Sequence, residues 1–195
     1  MLRNLNDAFA RADPTDDVLD DLVAVVGTQT AALDAAARRD RMALMRNAAG
    51  EAFPNSTNSG FADRAVAGLS NPTSVDIDVR FEEAEVVAQV LFRKVFEGAP
   101  GRAHGGIVAA AFDDVTGFVI GFLREPAFTG ELTVRYVAPV PVEEPLEMRA
   151  RLVERERRKL FITAEAKAGD EIVATCKATY ITVDPSRFAG APDPR

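Results

Sequence analysis

The chain has 195 residues, with 47% hydrophobic content and a formal net charge of −7 at neutral pH. This length and apolar content are enough for one domain with a sizeable core, together with an extension. The acidic balance argues against nucleic acid as a partner, because nucleic-acid-binding proteins usually carry a basic face.

Cysteine usage and the N-terminus bound the cellular setting. Cys176 is the only cysteine, so an internal disulfide framework is excluded. The acidic residues Asp7, Asp13, Asp16 and Asp17 interrupt any signal or transit peptide. No apolar run reaches the roughly 18 residues that are needed to span a bilayer. We therefore expect a cytoplasmic protein that has no membrane partner.

The first 50 residues are predicted to form a helical extension. Residues 13–15 form a helix start signal. Apolar side chains then recur at helical spacing, at Leu19, Leu22, Val23 and Val26. An alanine-rich segment at 30–49 ends at Gly50, and Gly27 is expected to divide the region into two helices. Nothing in this extension carries catalytic chemistry.

Residues 51–69 are rich in Gly, Asn, Ser and Pro, which predicts a linker. From residue 70 the hydrophobic pattern changes to a period of two, which predicts β-strands and places a second domain at 70–183. The predicted strands lie at 75–79, 86–95, 128–137, 146–154, 160–168 and 172–183. The tail at 184–195 contains three prolines and is expected to be flexible.

A Pro/Gly loop after the second strand leads into a mostly apolar helix that runs to Leu123. Its predicted core face consists of Ile107, Val108, Ala111, Phe112, Val115, Phe118, Val119 and Phe122. The other stripe consists of Gly106, Ala110, Asp113, Gly117 and Gly121, with Ile120 as an exception. Small residues along a helix let another backbone, a second subunit or a ligand approach closely.

Asp113 carries the only charge on that stripe, and Asp114 lies at its edge. A carboxylate among apolar residues costs free energy unless it is partnered, which makes Asp113 a candidate acid or base. His104, the only histidine, is followed by Gly105 and Gly106 at the helix N-terminus. The free backbone N–H groups there, together with the helix dipole, predict an oxyanion or anion site.

The order of the elements predicts the fold class. Two strands precede the long apolar helix and four follow it, and the alternation within them is typical of half-buried antiparallel strands. A single helix that is apolar round most of its circumference has to be wrapped by the sheet. We therefore predict an α+β fold in which an antiparallel sheet surrounds one long central helix.

Two runs in this region resemble a known family. GAPGRAHGGIVAAAFDD at 98–114 and FTGELTVRYVAPVP at 128–141 are similar to the hotdog-fold thioesterases, and within them to the phenylacetate-pathway-like acyl-CoA thioesterases. The resemblance extends over about residues 70–183. It implies the hotdog fold and hydrolysis of acyl-CoA thioesters. Coenzyme A would then be part of the substrate, with no separate cofactor and no metal.

The resemblance also implies roles for individual residues. Asp113 corresponds to the general base or nucleophile of the family. A backbone N–H of Gly105 or Gly106 corresponds to the donor that polarises the thioester carbonyl, and we assign this role first to Gly106. His104 would position that loop, and Thr129 would assist the water or the carboxylate.

The spacing along the helix predicts a site shared between subunits. Gly106 and Asp113 are seven residues apart, which separates them by about 10 Å along the axis. Thioester hydrolysis needs the base and the oxyanion donor within about 3 Å of one reacting group. We therefore expect Asp113 of one subunit to face Gly106 of another, in a homodimer or a dimer of dimers.

A basic segment is the candidate substrate handle. Between Arg149 and Lys159 six positive residues stand against two glutamates, and such a patch would steer the phosphates of coenzyme A. The candidate binding residues are Arg158 and Lys159 at the predicted turn and Arg102 before the histidine. Asp114 is placed in the same set as a charge-balancing neighbour of the base. The alternative interpretation of the segment is a solvated hairpin turn.

Two other functions stay open. A hotdog-fold acyl-thioester dehydratase or hydratase usually pairs an Asp with a His as acid and base, and the position of His104 before the helix counts against it. A non-catalytic acyl-CoA-binding module would lack the catalytic carboxylate, which this chain has in Asp113. Cys176 lies in an alternating strand and is interpreted as a core residue, since no second histidine exists to build a Cys/His site.

Overall fold

The computed structural model describes residues 1–37 and 64–184. The predictions for most of the alanine-rich segment, for most of the linker and for the C-terminal tail therefore lie outside the described residues. The helices of the described part are α1 (Leu2–Arg11), α2 (Asp16–Asp34) and α3 (Gly105–Leu123). The strands are β1 (Asp76–Glu82), β2 (Glu85–Leu91), β3 (Ala127–Tyr136), β4 (Pro145–Glu156), β5 (Lys159–Ala168) and β6 (Glu171–Thr182).

All the named strands form one antiparallel sheet in the order β1-β2-β4-β5-β6-β3. Strand β3 follows α3 in the chain but lies at the far edge of the sheet, beside β6. Along β4 the apolar side chains of Leu146, Met148 and Ala150 are buried while the alternate positions are not. This is the half-buried alternation that the sequence predicts.

Helix α3 packs against β2, β3, β4, β5 and β6. Val108, Phe112 and Val115 have no exposed surface, and they form the centre of the core with side chains of the sheet. Each such side chain contributes roughly 2 kcal/mol of hydrophobic stabilisation when it is fully buried. The predicted α+β architecture, with an antiparallel sheet around one long central helix, is confirmed.

The sheet encloses more of α3 than a single apolar face predicts. Thr116 and Ile120, which lie outside the predicted core face, are both buried. Phe122 was predicted on the core face but is 45% exposed, so that assignment is wrong. The helix ends one residue later, at Leu123. The Phe122 ring stacks on Phe81 of β1, with 5.3 Å between the ring centroids.

The second strand is shorter than predicted. β2 ends at Leu91, and residues Lys94–Phe96 form a 3₁₀ turn instead of continuing the strand to residue 95. Phe92 and Phe96 are both buried. The carbonyl of Phe96, at the end of this turn, accepts the N–H of His104, so the turn brings the chain back towards the N-terminus of α3.

The helical extension is confirmed for its described part, but its break lies elsewhere. Helix α2 runs through Gly27 without interruption, so the predicted division there is wrong. The break falls at residues 12–15, where Ala12 and Thr15 are extended and Thr15 is the N-cap of α2. A single glycine in an exposed helix costs only about 1 kcal/mol relative to alanine, which is too little to end it.

Helix α3 has 19 residues and is apolar enough, by length and composition alone, to cross a membrane. The predicted absence of an apolar run of about 18 residues counted only uninterrupted runs, and Asp113 and Asp114 interrupt this helix. In the structure eight of its side chains are buried. Its apolar character is therefore accounted for by its place in the core.

Candidate active site

His104 is the residue that begins helix α3. It is the N-cap, and its Nδ1 accepts a hydrogen bond from the backbone N–H of Gly106 at 3.1 Å. The backbone carbonyl of His104 accepts the N–H groups of Ile107 and Val108. The N–H of Gly105, the first residue of the helix, has no intrahelical acceptor. It also has no acceptor among the residues that the structure describes.

This arrangement changes the assignment of the oxyanion donor. Gly106 was the first prediction for this donor, but its backbone N–H already donates to Nδ1 of His104. The Gly105 amide is free and lies at the positive end of the helix dipole. Gly105 is therefore the better candidate for a donor to a developing oxyanion, and His104 caps the helix that begins there.

The loop before the helix is packed closely against His104. A side chain at Gly98 would begin 3.0 Å from the Cα of His104, which is tighter than most real Cβ contacts. The N–H of His104 donates to the carbonyl of Phe96 at 2.8 Å. The histidine is thus held by Gly98, by Phe96 and by its own capping bond.

An open cleft of about 630 Å³ lies beside this loop. One wall is residues 98–105 and the other is residues 136–140. Tyr136 joins the two walls, since its hydroxyl donates to the carbonyl of Gly105 at 2.5 Å. Arg102 lines the cleft, so the structure places this predicted binding residue next to the free Gly105 amide.

Asp113 lies on the third turn of α3, and Thr129 lies on strand β3. Thr129 Oγ1 donates a hydrogen bond of 2.8 Å to Asp113 Oδ1. A β-bulge at Gly130 interrupts the pairing of β3 with β6 immediately after Thr129. The two side chains are therefore in contact, although neither lies in the lining of the cleft.

Tyr180 and Thr116 lie behind Asp113, and sequence analysis did not single them out. The Tyr180 hydroxyl lies 2.9 Å from Thr116 Oγ1 and 3.0 Å from the backbone carbonyl oxygen of Asp113. Burial raises the pKa of Tyr180 to about 12. Helical spacing predicted Thr116 to lie outside the core face. The contact between the hydroxyls of Thr116 and Tyr180 depends on the position of β6 beside the helix, which the sequence does not give.

Asp114 does not belong to a substrate-binding set. Its Oδ2 accepts the backbone N–H of Ala67 at 2.9 Å, and its Oδ1 lies 3.8 Å from Arg64 Nη1. The Arg64 guanidinium also lies over the ring of Phe118, 3.8 Å from its centroid. Burial raises the pKa of Asp114, and the charge of Arg64 partly opposes that rise. This carboxylate therefore fastens the segment before β1 onto α3.

Three of the six positive residues of the predicted basic handle form ion pairs with glutamates. Arg149 and Arg151 pair with glutamates of β1, β2 and β4. Arg155 pairs with Glu125. Arg158 donates two hydrogen bonds, of 3.0 and 2.9 Å, to the carbonyl of Thr182. Arg158 is not in the lining of the cleft, and its assignment to substrate binding stays a prediction.

The remaining features of this segment match the alternative interpretation. Arg157 and Arg158 form a hairpin turn between β4 and β5, with Arg157 at φ +51°. Lys159 is exposed beside that turn. This segment is remote in sequence from both cleft walls, and neither Arg158 nor Lys159 lines the cleft. The solvated hairpin is the structure that forms.

Cys176 is a core residue, as predicted. Its side chain is 2% exposed, and burial raises its pKa to about 12. Within residues 1–37 and 64–184, no group of three or more His, Cys, Asp or Glu side chains is placed to hold a metal ion. The chemical groups of the site are thus a carboxylate, hydroxyls and backbone amides.

The site as described consists of two halves on one helix. Gly105 and Asp113 are eight residues apart on α3, which separates them by about 12 Å along the axis. One half supplies an anion-binding amide beside a cleft. The other supplies a carboxylate held by a hydroxyl, at the edge of the sheet.

The sequence is similar to known thioesterases. Residues 100–180 match the family model described as the thioesterase superfamily. Over 93 residues the chain is 31% identical to the acyl-coenzyme A thioesterase THEM4 of Mus musculus, an alignment that covers 47% of this chain and 40% of that protein. The chain thus spans less than half the length of this relative.

Solved structures share the fold. A crystal structure described as a thioesterase superfamily protein aligns with a TM-score of 0.75 at 21% identity, covering 92% of this chain and 90% of that one. A thioesterase protein from Streptococcus pneumoniae with coenzyme A aligns with a TM-score of 0.52 at 17% identity, covering 57% of this chain and 90% of that one. Variants of that protein replace an aspartate and a threonine, sixteen positions apart, by alanine.

Proposed function

We propose that this chain, whose residues 100–180 match the thioesterase superfamily, hydrolyses acyl-CoA thioesters to a free acid and coenzyme A. The observation that carries the proposal is the bond between Thr129 and Asp113, on the helix that begins with a free Gly105 amide. A base and an oxyanion donor are the two groups that thioester hydrolysis needs most, because the thiolate is a good leaving group.

The reaction follows from these groups. Asp113 takes a proton from a water molecule, whose oxygen attacks the thioester carbonyl carbon. The carbonyl oxygen becomes an oxyanion that accepts a hydrogen bond from the Gly105 amide. When the tetrahedral intermediate collapses, the carbon–sulfur bond breaks and the thiolate of coenzyme A takes the proton. Direct attack by the Asp113 carboxylate, giving an anhydride that water then hydrolyses, uses the same residues.

Two chains are needed to complete such a site. Gly105 and Asp113 are about 12 Å apart along one helix axis, so one α3 cannot bring both groups to one carbonyl. Strand β3 is an edge strand with Phe128, Tyr136 and Val137 exposed by 57%, 48% and 57%. We propose that a second copy pairs along this edge and brings its Gly105 to Asp113, in a homodimer or a dimer of dimers.

Coenzyme A would enter as part of the substrate, without a separate cofactor. Arg102 lies in the cleft beside Gly105 and supplies a positive charge for a phosphate group. The name of the mouse relative and the coenzyme A in the Streptococcus pneumoniae structure support this substrate class. The aspartate and threonine that were replaced in that protein have the same spacing as Asp113 and Thr129. The cytoplasmic location stays a prediction from composition.

The geometry disfavours the dehydratase alternative. That chemistry needs a histidine as the acid or base partner of the aspartate, and His104 is the only histidine of the chain. Its Nδ1 is occupied by the Gly106 amide, and it lies at the opposite end of the helix segment from Asp113. A chain that binds acyl-CoA without turnover is an outcome of the experiment below.

The experiment measures loss of the thioester over a panel of short, long and aromatic acyl-CoAs, for the wild type and for Asp113→Asn. We expect turnover of at least one class and a loss of about a hundredfold or more in the variant, the range for removing an acid/base group. Asp78→Asn, an exposed aspartate on β1, is the matched control. Binding of acyl-CoA without hydrolysis by the wild type would instead assign a binding function.

A further inference from the structure

Helix α1 contacts the domain through its polar face. Leu2, Leu5 and Phe9 recur on one side of α1 and are 60%, 38% and 51% exposed. The side that faces the domain carries Arg3 and Asp7, both of which bond to it. Apolar burial is therefore not what fixes this helix, and ionic and hydrogen-bonded contacts hold it in place.

The N-terminal end of α1 is fastened to the start of the sheet. Arg3 Nη1 lies 2.9 Å from Asp76 Oδ1, and Arg93 Nε lies 2.5 Å from Asp76 Oδ2. Arg93 also donates to the side-chain oxygen of Asn4 at 2.8 Å. This first cluster holds the helix against β1, and its Arg93 also caps the 3₁₀ turn, since the carbonyl of Arg93 accepts the N–H of Phe96 at 2.9 Å.

The C-terminal end of α1 carries a second cluster, formed by Asp7, Arg11 and Glu143. Arg11 Nη2 lies 2.6 Å from Asp7 Oδ2 and 2.6 Å from Glu143 Oε1, so one guanidinium bridges two carboxylates. Asp7 is buried, with 8% of its surface exposed. Its other oxygen accepts the backbone N–H of Val95 at 3.4 Å. A buried carboxylate of this kind needs such partners to offset the loss of solvation.

The second cluster reaches both walls of the cleft through the backbone. Val95 lies in the 3₁₀ turn whose next residue, Phe96, accepts the N–H of His104 at 2.8 Å. Glu143 follows the other wall, in which the carbonyl of Val140 accepts the N–H of Ala103 at 2.8 Å. Asp7 is therefore connected to His104 through the 3₁₀ turn, and Glu143 is connected to Ala103 through the other wall.

We propose that α1 braces the loop that presents the Gly105 amide, with Asp7 and Arg11 as positioning residues. Asp7 holds the 3₁₀ turn that supports His104, and Arg11 ties that support to Glu143 on the opposite wall. These residues belong to the extension that precedes the matched domain. The catalytic part of this inference rests on the proposed function, whereas the bracing of the loop does not.

Hydrogen exchange tests the bracing without reference to activity. The variants are Arg11→Met, which removes the charge but keeps the length of the stem, and Arg11→Lys, which restores a charge. Arg3→Met is the matched control, because it breaks an ion pair of the same helix but leaves Arg93, the cap of the 3₁₀ turn, paired with Asp76. The readout is the exchange of the amides of residues 103–106. Three of them, those of Ala103, His104 and Gly106, donate hydrogen bonds.

We expect exchange of these amides to speed up about threefold or more in Arg11→Met. Exchange should stay near the wild-type rate in Arg3→Met and be partly restored in Arg11→Lys. Equal acceleration in Arg11→Met and Arg3→Met would show general loosening of the extension, and no acceleration in either would show that the loop is self-supporting. Either result overturns the proposal.

Acyl-CoA hydrolysis by the same variants then tests the catalytic consequence. Arg11→Met should lower kcat about tenfold with KM within about twofold, because the oxyanion donor is misplaced while the binding surface is kept. Arg11→Lys should recover part of the loss. A rise in KM at unchanged kcat would contradict the assignment to the oxyanion loop. An inactive wild type with the expected exchange pattern would refute the proposed function and leave the bracing intact.

Discussion

Thr129 Oγ1 donates a 2.8 Å hydrogen bond to Asp113 Oδ1 and thereby links edge strand β3 to the middle of helix α3. The carboxylate is held at one oxygen by a neutral donor, which leaves the other oxygen for a water molecule. A hydroxyl in this position orients the base without supplying a counter-charge. The pair is the part of the site that one chain completes by itself.

Replacing Thr129 tests this pair. Thr129→Val keeps the shape of the side chain but removes the donor, and we expect kcat to fall about ten- to hundredfold, since hydrogen bonds to charged groups contribute about 1.5–3 kcal/mol. Thr129→Ser should retain most of the activity, because it keeps the hydroxyl. The measurement is steady-state hydrolysis of the best acyl-CoA from the panel. Equal activity of the valine and serine variants would show that the bond has no catalytic role.

His104 should affect both stability and catalysis, because it caps α3 and holds the loop that presents Gly105. His104→Ala removes the bond to the Gly106 amide, and we expect a loss of about 1 kcal/mol in unfolding free energy, as for other N-caps. His104→Asn, a good N-cap residue, should restore stability in a denaturant titration. If His104→Ala is as stable as the wild type, the capping bond is not formed in solution.

The fold could be predicted from the sequence because its signals are local. The alternation in β4 and the apolar circumference of α3 each follow from neighbouring residues, and both are confirmed. Phe122 was misplaced because its surroundings depend on where the sheet ends relative to the helix, and no periodicity contains that information. Gly27 was misread because an isolated glycine costs too little to end a helix.

The site could be predicted only where a motif defines it. Asp113 was a candidate from its place on the helix and Thr129 from the resemblance, and the structure shows them in contact. The choice between Gly105 and Gly106 depends on which way the His104 ring turns, which spacing does not determine. The basic segment was misjudged because carboxylates such as Glu85 and Glu125 are brought to it by strand pairing and by a loop distant in sequence.

The buried hydroxyls predict how stability depends on alkaline pH. Burial raises the pKa of Tyr180 from 10.0 to about 12, so between these values the unfolded chain releases a proton that the folded chain keeps. The unfolding free energy therefore falls as pH rises through this window. The thiol of Cys176, with its pKa raised from 9.0 to about 12, acts in the same direction.

The measurement is a denaturant titration at several pH values between 9 and 12, with phenolate absorbance as a second readout. The chain has two tyrosines and no tryptophan, which keeps that signal simple. Tyr180→Phe should flatten the fall in stability between pH 10 and 12. A variant that shows the same slope as the wild type would assign the effect to other groups.

Asp114 predicts a fall in stability of the same origin, burial of an acid, but at acidic pH. Burial raises its pKa above the ordinary value of 3.8, so the folded chain holds the proton more tightly than the unfolded chain. Its contribution to stability is therefore greatest below 3.8 and falls as pH rises through the raised pKa. Asp114→Asn removes this term and keeps an acceptor for the Ala67 amide.

We expect the melting temperature of Asp114→Asn, measured relative to that of the wild type, to increase as pH rises through this window. Asp16→Asn, an exposed acid in the first turn of α2, is the control. A difference between wild type and Asp114→Asn that does not change with pH would show that the carboxyl is solvated in both states.

A site shared between subunits predicts that two inactive variants restore each other. Asp113→Asn keeps an intact oxyanion loop, and His104→Ala keeps an intact carboxylate. In a mixed dimer one of the two sites combines Asp113 from one chain with the loop of the other, both wild type. Random pairing makes half of the dimers mixed, so about a quarter of the wild-type activity should return. Each variant alone should stay near background.

Co-expression of the two variants with different affinity tags, followed by tandem purification, isolates the mixed dimer. Its activity should then be about half that of the wild-type dimer, because one of its two sites is complete. If each site lies within a single chain, one damaged residue is present in every site and no activity returns at any mixing ratio. Thermal stability of the mixed dimer near that of its parents shows that assembly is not the cause of a null result.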